Sequence, residues 1–195
     1  MTISADIVSM YPKLTDQNLS ELAVRLNARI RNVPDFPKPG IMFKDITPIL
    51  SDQVLCSQIV EVMADHFSGK GLDVIVGIES RGFLFGMLLA NKLNIPFVPI
   101  RKQGKLPSQK IAQSYKLEYG EATIEIHSDA FPKGARILIH DDLLATGGTV
   151  VAASELVQRL DGVIAGYSFL INLDFLGGKS RLKPFNEDIL SLIDY

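Results

Sequence analysis

The chain has 195 residues, 47% of them hydrophobic, and a formal net charge of −2, which suits one sizeable domain that buries roughly 70% of the surface its unfolded chain exposes. The near-neutral charge excludes a global attraction to nucleic acid or to an anionic membrane, and no apolar run approaches the ~20 residues of a membrane span. The lone Cys56 allows no internal disulfide and the opening segment lacks a signal-peptide pattern, so a cytoplasmic protein is expected.

Leu19, Leu22, Ala23, Leu26 and Ile30 follow a helical period after Thr15-Asp16, a plausible cap. Residues 32–50, NVPDFPKPGIMFKDITPIL, carry four prolines and a glycine and are expected to form no regular element, with Phe36, Ile41, Met42 and Phe43 packing on something. Leu55, Ile59, Val62, Met63, His66 and Phe67 mark a second helix capped by Asp52. Asp73–Ile78 is a short, continuous β-branched run, as expected of a strand buried on both faces. Helical composition follows over 80–93, then a strand over 96–100. SYKLEYGEATIEI alternates and predicts a hairpin turning near Gly120. A strand over 136–140, a helix from about 147 to 160 and a strand over 163–173 complete the pattern. Gly178-Lys179-Ser180 mimics the tail of a Walker A loop, but position 173 is Leu rather than Gly, so a plain loop is expected there. Strands alternating with helices imply an α/β fold: a mainly parallel central sheet flanked by helices, with ligands at the carboxyl ends of the strands.

Three loops open on that edge. Asp141-Asp142 end a core strand and lead into Ala145-Thr146-Gly147-Gly148-Thr149 at a helix start. Free amides and the helix dipole there suit a phosphate, and the paired carboxylates suit ribose hydroxyls or a hydrated Mg²⁺. A helix simply capped by Thr146 is the alternative for the second half of the motif. Arg101, Lys102, Lys105, Lys110 and Lys116 fall in sixteen residues without an acid, a local positive patch able to hold pyrophosphate. Gly104 and Pro107 suggest a long excursion, and long loops beside a site are often lids. Arg81 beside Gly82 at another helix start is a candidate bidentate anion clamp. Cys56, His66 and His127 have no metal-site spacing, so protein-ligated zinc is not expected.

DFPKPGIMFKDITPIL (35–50), GIESRGFLFG (77–86), VPIRKQGKLP (98–107), YKLEYG (115–120) and DDLLATGGT (141–149), in this order, resemble the type I phosphoribosyltransferases, and among them the adenine-specific branch. The resemblance spans most of the chain. It implies one phosphoribosyltransferase domain over residues 1–195, with an N-terminal helix and hood over about 1–50, a core over about 51–195 and a flexible lid near 101–125. It implies Mg²⁺-dependent transfer of the 5-phosphoribosyl group from phosphoribosyl pyrophosphate (PRPP) to adenine N9, giving AMP and pyrophosphate, by a cytoplasmic homodimer in purine salvage. By motif, Ala145, Thr146, Gly147, Gly148 and Thr149 would bind the 5-phosphate, and Asp141 and Asp142 the ribose. Glu79, Ser80, Arg81, Arg101, Lys102 and Lys105 would serve the pyrophosphate, Met42, Phe43 and Lys44 the adenine, and Glu118 would be the catalytic acid or base. Mg²⁺ would be held mainly by PRPP and water, with no protein metal site. His140 stands where family members more often carry an aliphatic residue and is expected to be packed or hydrogen-bonded. The competing readings are a transferase for hypoxanthine or guanine and a non-catalytic PRPP-sensing module.

Overall fold

The structure, a computed structural model, describes residues 16–116 and 120–195, and of 16–19 the backbone only. The chain divides into a smaller unit ending at Leu55 and a larger one beginning at Cys56.

In the first unit, helix α1 spans Asp16–Arg29. The proline-rich stretch is more regular than its composition suggests. Strands β1 (Arg31–Pro34) and β2 (Met42–Asp45) pair antiparallel, with Val33 opposite Phe43, and a 3-10 turn follows over Thr47–Ser51. The prolines are accommodated because Pro34 ends β1 and Pro48 lies at the start of the 3-10 turn, where a missing N–H costs nothing. Phe36 and Phe43 meet edge to face with centroids 5.0 Å apart. Asp52 caps the next helix as expected: its Oδ1 accepts the Leu55 amide at 3.0 Å, and Arg29 lies 3.3 Å from its other oxygen.

That helix, α2, spans Gln53–Phe67. In the second unit follow β3 (Val74–Ile78), α3 (Gly82–Leu93), β4 (Phe97–Lys102), β5 (Lys110–Lys116), β6 (Glu121–His127), β7 (Arg136–His140), β8 (Leu143–Leu144), α4 (Gly148–Arg159), β9 (Val163–Asn172), α5 (Gly178–Leu182) and β10 (Ile189–Asp194). The main sheet runs β10-β9-β7-β3-β4-β6-β5, with β8 adding to β9. Pairs among β10, β9, β7, β3 and β4 are parallel; β6 joins β4 and β5 antiparallel. Every residue of β3 is buried, as its unbroken apolar run requires, and β9 is buried beyond Val163. On the face that α4 covers, Ile137, Ile139, Leu156, Val157, Tyr167 and Phe169 are part of one core. β3 is followed in sequence by β4 on one side, while β7 lies on its other side. The order therefore reverses between β3 and β7, and a crevice opens beyond their carboxyl ends.

One further element departs from expectation. The segment read as a loop at Gly178 forms α5, because Leu182 is fully buried and gives the short helix an apolar anchor. Cys56 is half-buried.

Candidate functional site

The loops after β3 and β7 leave the sheet from adjacent strands, with Gly77 opposite His140 in register. Gly82 lets them converge: a Cβ there would stand 2.9 Å from His140 O and 3.0 Å from Asp141 Oδ1. Helix α3 thus begins flush against the acidic pair.

Asp142 is buried and Asp141 partly so. Asp141 Oδ1 accepts the Asp142 amide at 2.9 Å, and Asp142 Oδ2 lies 3.1 Å from Arg81 Nε. Burial, then the Asp142 charge, pushes the Asp141 carboxyl well above the ordinary carboxylate range. Burial also raises Asp142, against the pull of the Arg81 guanidinium. Arg81, expected as an anion clamp, is thus engaged with the acidic pair and offsets part of the cost of placing two carboxylates at a strand end.

Behind this pair lies His140, fully buried, with Nδ1 2.9 Å from Ser168 Oγ, which in turn reaches Met63 Sδ at 3.6 Å. Burial holds its ring down at about 4, so it is neutral at pH 7. This is the packed, hydrogen-bonded role expected of it.

The Ala145–Thr149 stretch runs from the end of β8 into the first turn of α4. Gly147, at φ +78°, is the residue preceding the helix, and no side chain caps the N-terminus. Thr146 is therefore not the cap; its carbonyl instead accepts Arg181 Nη1 at 3.0 Å. The Val151 amide bonds Gly147 O at 2.9 Å, so the amides before it are the ones a helix leaves without an internal acceptor. Together with the helix dipole they offer donors of the kind that suit an anion. Thr149 Oγ1 donates to Tyr115 Oη at 3.1 Å, which ties the loop to β5.

The basic loop is partly neutralised by acids distant in sequence. Glu79 Oε2 accepts the Lys102 amide at 2.9 Å and Arg101 Nε at 3.1 Å. Burial would raise the Glu79 carboxyl, but these two donors outweigh it and hold it below the usual range. Buried Glu125 accepts the Gly104 amide at 3.0 Å, and Lys105 O accepts Arg101 Nη1 at 3.2 Å. Ser80 follows a cis peptide bond after Glu79, and its carbonyl accepts the Phe83 amide.

The fold thus gathers Glu79, Ser80, Arg81, Arg101, Lys102, Lys105, Asp141, Asp142 and the 145–149 loop at the carboxyl edge of one sheet. Met42, Phe43 and Lys44 lie on β2 of the first unit, where Met42 is exposed and Lys44 Nζ bonds Asn32 Oδ1 at 2.8 Å. Glu118 lies outside the described residues. Sequence reasoning missed Glu125, Ser168 and Arg181. Glu125 alternates with apolar Ile124 and Ile126 and reads as a solvent-facing position, yet pairs in register with Arg101.

Among the described residues, no three His, Cys, Asp or Glu side chains gather as a metal cage. The donors present are hard carboxylate oxygens, which suit Mg²⁺ carried by a phosphorylated substrate and reached through water. No helix among the described residues is long and apolar enough to cross a membrane.

Comparison with known proteins places this arrangement in context. A family model for the phosphoribosyl transferase domain matches residues 52–171. The adenine phosphoribosyltransferase of Koribacter versatilis is 51% identical over 170 residues, 87% of this chain and 92% of the relative. The crystal structure of adenine phosphoribosyltransferase from Thermoanaerobacter pseudethanolicus matches with a TM-score of 0.85 at 46% identity, over 89% of this chain and 99% of that one. The Saccharomyces cerevisiae enzyme, complexed with an imino-altritol bisphosphate and adenine, matches with a TM-score of 0.84 at 40% identity, over 89% of this chain and 99% of that one.

Proposed function

The chain belongs to the phosphoribosyl transferase family, and from that premise we infer that it is an adenine phosphoribosyltransferase, making AMP and pyrophosphate from adenine and PRPP in purine salvage. One observation in the molecule itself carries the reading. A helix start left uncapped by any side chain opens on the same sheet edge as an aspartate pair, Asp142 buried and Asp141 partly so. A phosphate on the first and sugar hydroxyls on the second describe a ribose 5-phosphate.

That placement supports the roles at the sheet edge, and the family resemblance supports those of Glu118, Met42, Phe43 and Lys44. The amides of Ala145–Thr149 take the 5-phosphate, and Asp141 and Asp142 accept the ribose hydroxyls. Breaking the C1–O bond to pyrophosphate builds positive charge on the ribose ring and negative charge on the leaving group. Ser80, Arg81, Arg101, Lys102 and Lys105 stabilise the latter, with Glu79 orienting Arg101. Mg²⁺, reached through water by Asp141 and Asp142 and held mainly by PRPP, would supply positive charge to the leaving pyrophosphate. Glu118 exchanges a proton with the purine, and the basic loop excludes water from the electron-poor sugar. Met42, Phe43 and Lys44 supply the adenine contacts.

A homodimer is part of the same proposal, supported by Leu84, Met87 and Leu88, which α3 leaves 39%, 55% and 46% exposed. So is a cytoplasmic location, supported by the single cysteine, Cys56, which allows no internal disulfide.

The test is AMP formation from adenine, PRPP and Mg²⁺, for the wild type and Glu118→Ala, with hypoxanthine as the competing base. Robust turnover on adenine is expected, falling roughly 10²–10⁴-fold in the variant. Preference for hypoxanthine, or PRPP binding without pyrophosphate release, would overturn the reading.

A further inference from the structure

Helix α5 lies directly beneath the phosphate loop. A Cβ on Gly178 would overlap the Ala145 carbonyl oxygen and stand 2.9 Å from Leu144 Cγ, and one on Gly147 would stand 3.2 Å from Gly178 O. The helix is anchored from below by fully buried Leu182 and at its side by Lys179, whose Nζ lies 2.9 Å from Asp194 Oδ1. From this platform the exposed Arg181 reaches up, and its Nη1 donates to Thr146 O at 3.0 Å.

Two consequences follow from that bond. The Thr146–Gly147 peptide is trans, so fixing its carbonyl toward Arg181 points the Gly147 N–H in the opposite direction within the peptide plane. The guanidinium also lies at the loop itself, since a Cβ on Gly148 would be 3.8 Å from Nη1. It places an always-charged cation beside the amides at the start of α4.

We propose that Arg181 is a positioning residue for the phosphate monoester of the substrate, locking the Thr146–Gly147 peptide so that its amide faces the anion and adding positive charge to the helix terminus. This rests on the reading of the 145–149 loop as the 5-phosphate site. A tie that served only folding could be made by any donor. Orienting and charging an anion site needs a donor that is both rigid and cationic, and arginine combines the two.

The experiment compares wild type, Arg181→Gln and Arg181→Lys by calorimetric titration with ribose 5-phosphate, with adenine as control, and by the amide NMR shifts of Gly147, Gly148 and Thr149. Steady-state kinetics are measured alongside. Arg181→Gln keeps a donor and loses the charge; its ribose 5-phosphate affinity is expected to fall about tenfold or more, the scale of one charge-assisted hydrogen bond. Arg181→Lys keeps the charge without the planar fork and is expected to fall between the two. KM for PRPP rises in step while KM for adenine holds, and the three amide shifts move without general unfolding. Wild-type protein that binds ribose 5-phosphate no better than Arg181→Gln does overturns the proposal alone. Wild-type protein that takes up no ribose 5-phosphate overturns the functional reading and this proposal with it.

Discussion

Arg81 Nε stands 3.1 Å from Asp142 Oδ2, joining the loop after β3 to the loop after β7 across the point where strand order reverses. The Asp142 side chain is only 4% exposed and that of Arg81 31%, so the pair is shielded from much of the screening that weakens surface ion pairs. Arg81→Ala strands a buried carboxylate, whereas Asp142→Asn removes the charge that needs a partner. A double-mutant cycle on urea unfolding is expected to give a coupling energy of about 1–3 kcal/mol. A value near zero would mean that the acidic pair is stabilised elsewhere.

His140 makes stability depend on pH in a defined direction. Its folded-state value is about 4 against 6.5 for the free side chain. Between those values the unfolded chain takes up a proton that the folded chain refuses. The contribution of His140 is therefore complete above pH 6.5 and is lost as pH falls toward 4, by about 3 kcal/mol in total. Asp141 and Asp142, whose carboxyls are raised, contribute with the opposite sign, so the comparison is made against His140→Leu. Denaturation from pH 7 to 4 is expected to show wild type losing stability relative to the variant. Parallel curves would refute a buried neutral imidazole.

Gly147 at φ +78° occupies a backbone region that costs other residues about 1 kcal/mol or more. Its hypothetical Cβ also meets Gly178 O at 3.2 Å. Gly147→Ala is expected to lower stability by about 1–2 kcal/mol and to weaken ribose 5-phosphate binding by more than tenfold, read by thermal denaturation and by titration. Unchanged binding would remove this turn from the anion site.

Tyr115 ties strand β5 to the 145–149 loop through Thr149. Tyr115→Phe is expected to cost about 1 kcal/mol, with amide hydrogen exchange accelerating in β5 and around Thr149 but not in β9. Exchange that speeds up nowhere would show that packing along α4, including Arg159 Nη1 on Ala112 O at 2.7 Å, suffices to dock the hairpin.

The parallel core was legible because its strands are buried on both faces and so read as unbroken apolar runs. The 136–140 strand falls where it was expected, and 74–78 differs by one residue. The acidic pair and the glycine turn were legible because their chemistry is contiguous in the chain. What stayed hidden depends on contacts between distant positions. Glu79 and Glu125 temper the basic loop from 22 and 21 residues away, measured to Arg101 and Gly104. Helix α5 has too few residues for a periodicity to register, and its one buried leucine announces nothing. The β1–β2 pair was masked by prolines that sit where a ladder needs no donor.

The Glu79–Arg101 contact carries an implication for proton traffic. The guanidinium N–H groups that bind Glu79 at 3.1 and 3.3 Å cannot serve a phosphoryl oxygen at the same time. An incoming polyanion that recruits them withdraws part of what keeps Glu79 ionised, and its proton affinity rises. Ligand uptake at mildly acidic pH would then draw protons from the buffer, and the heat of binding would vary with the ionisation enthalpy of the buffer chosen.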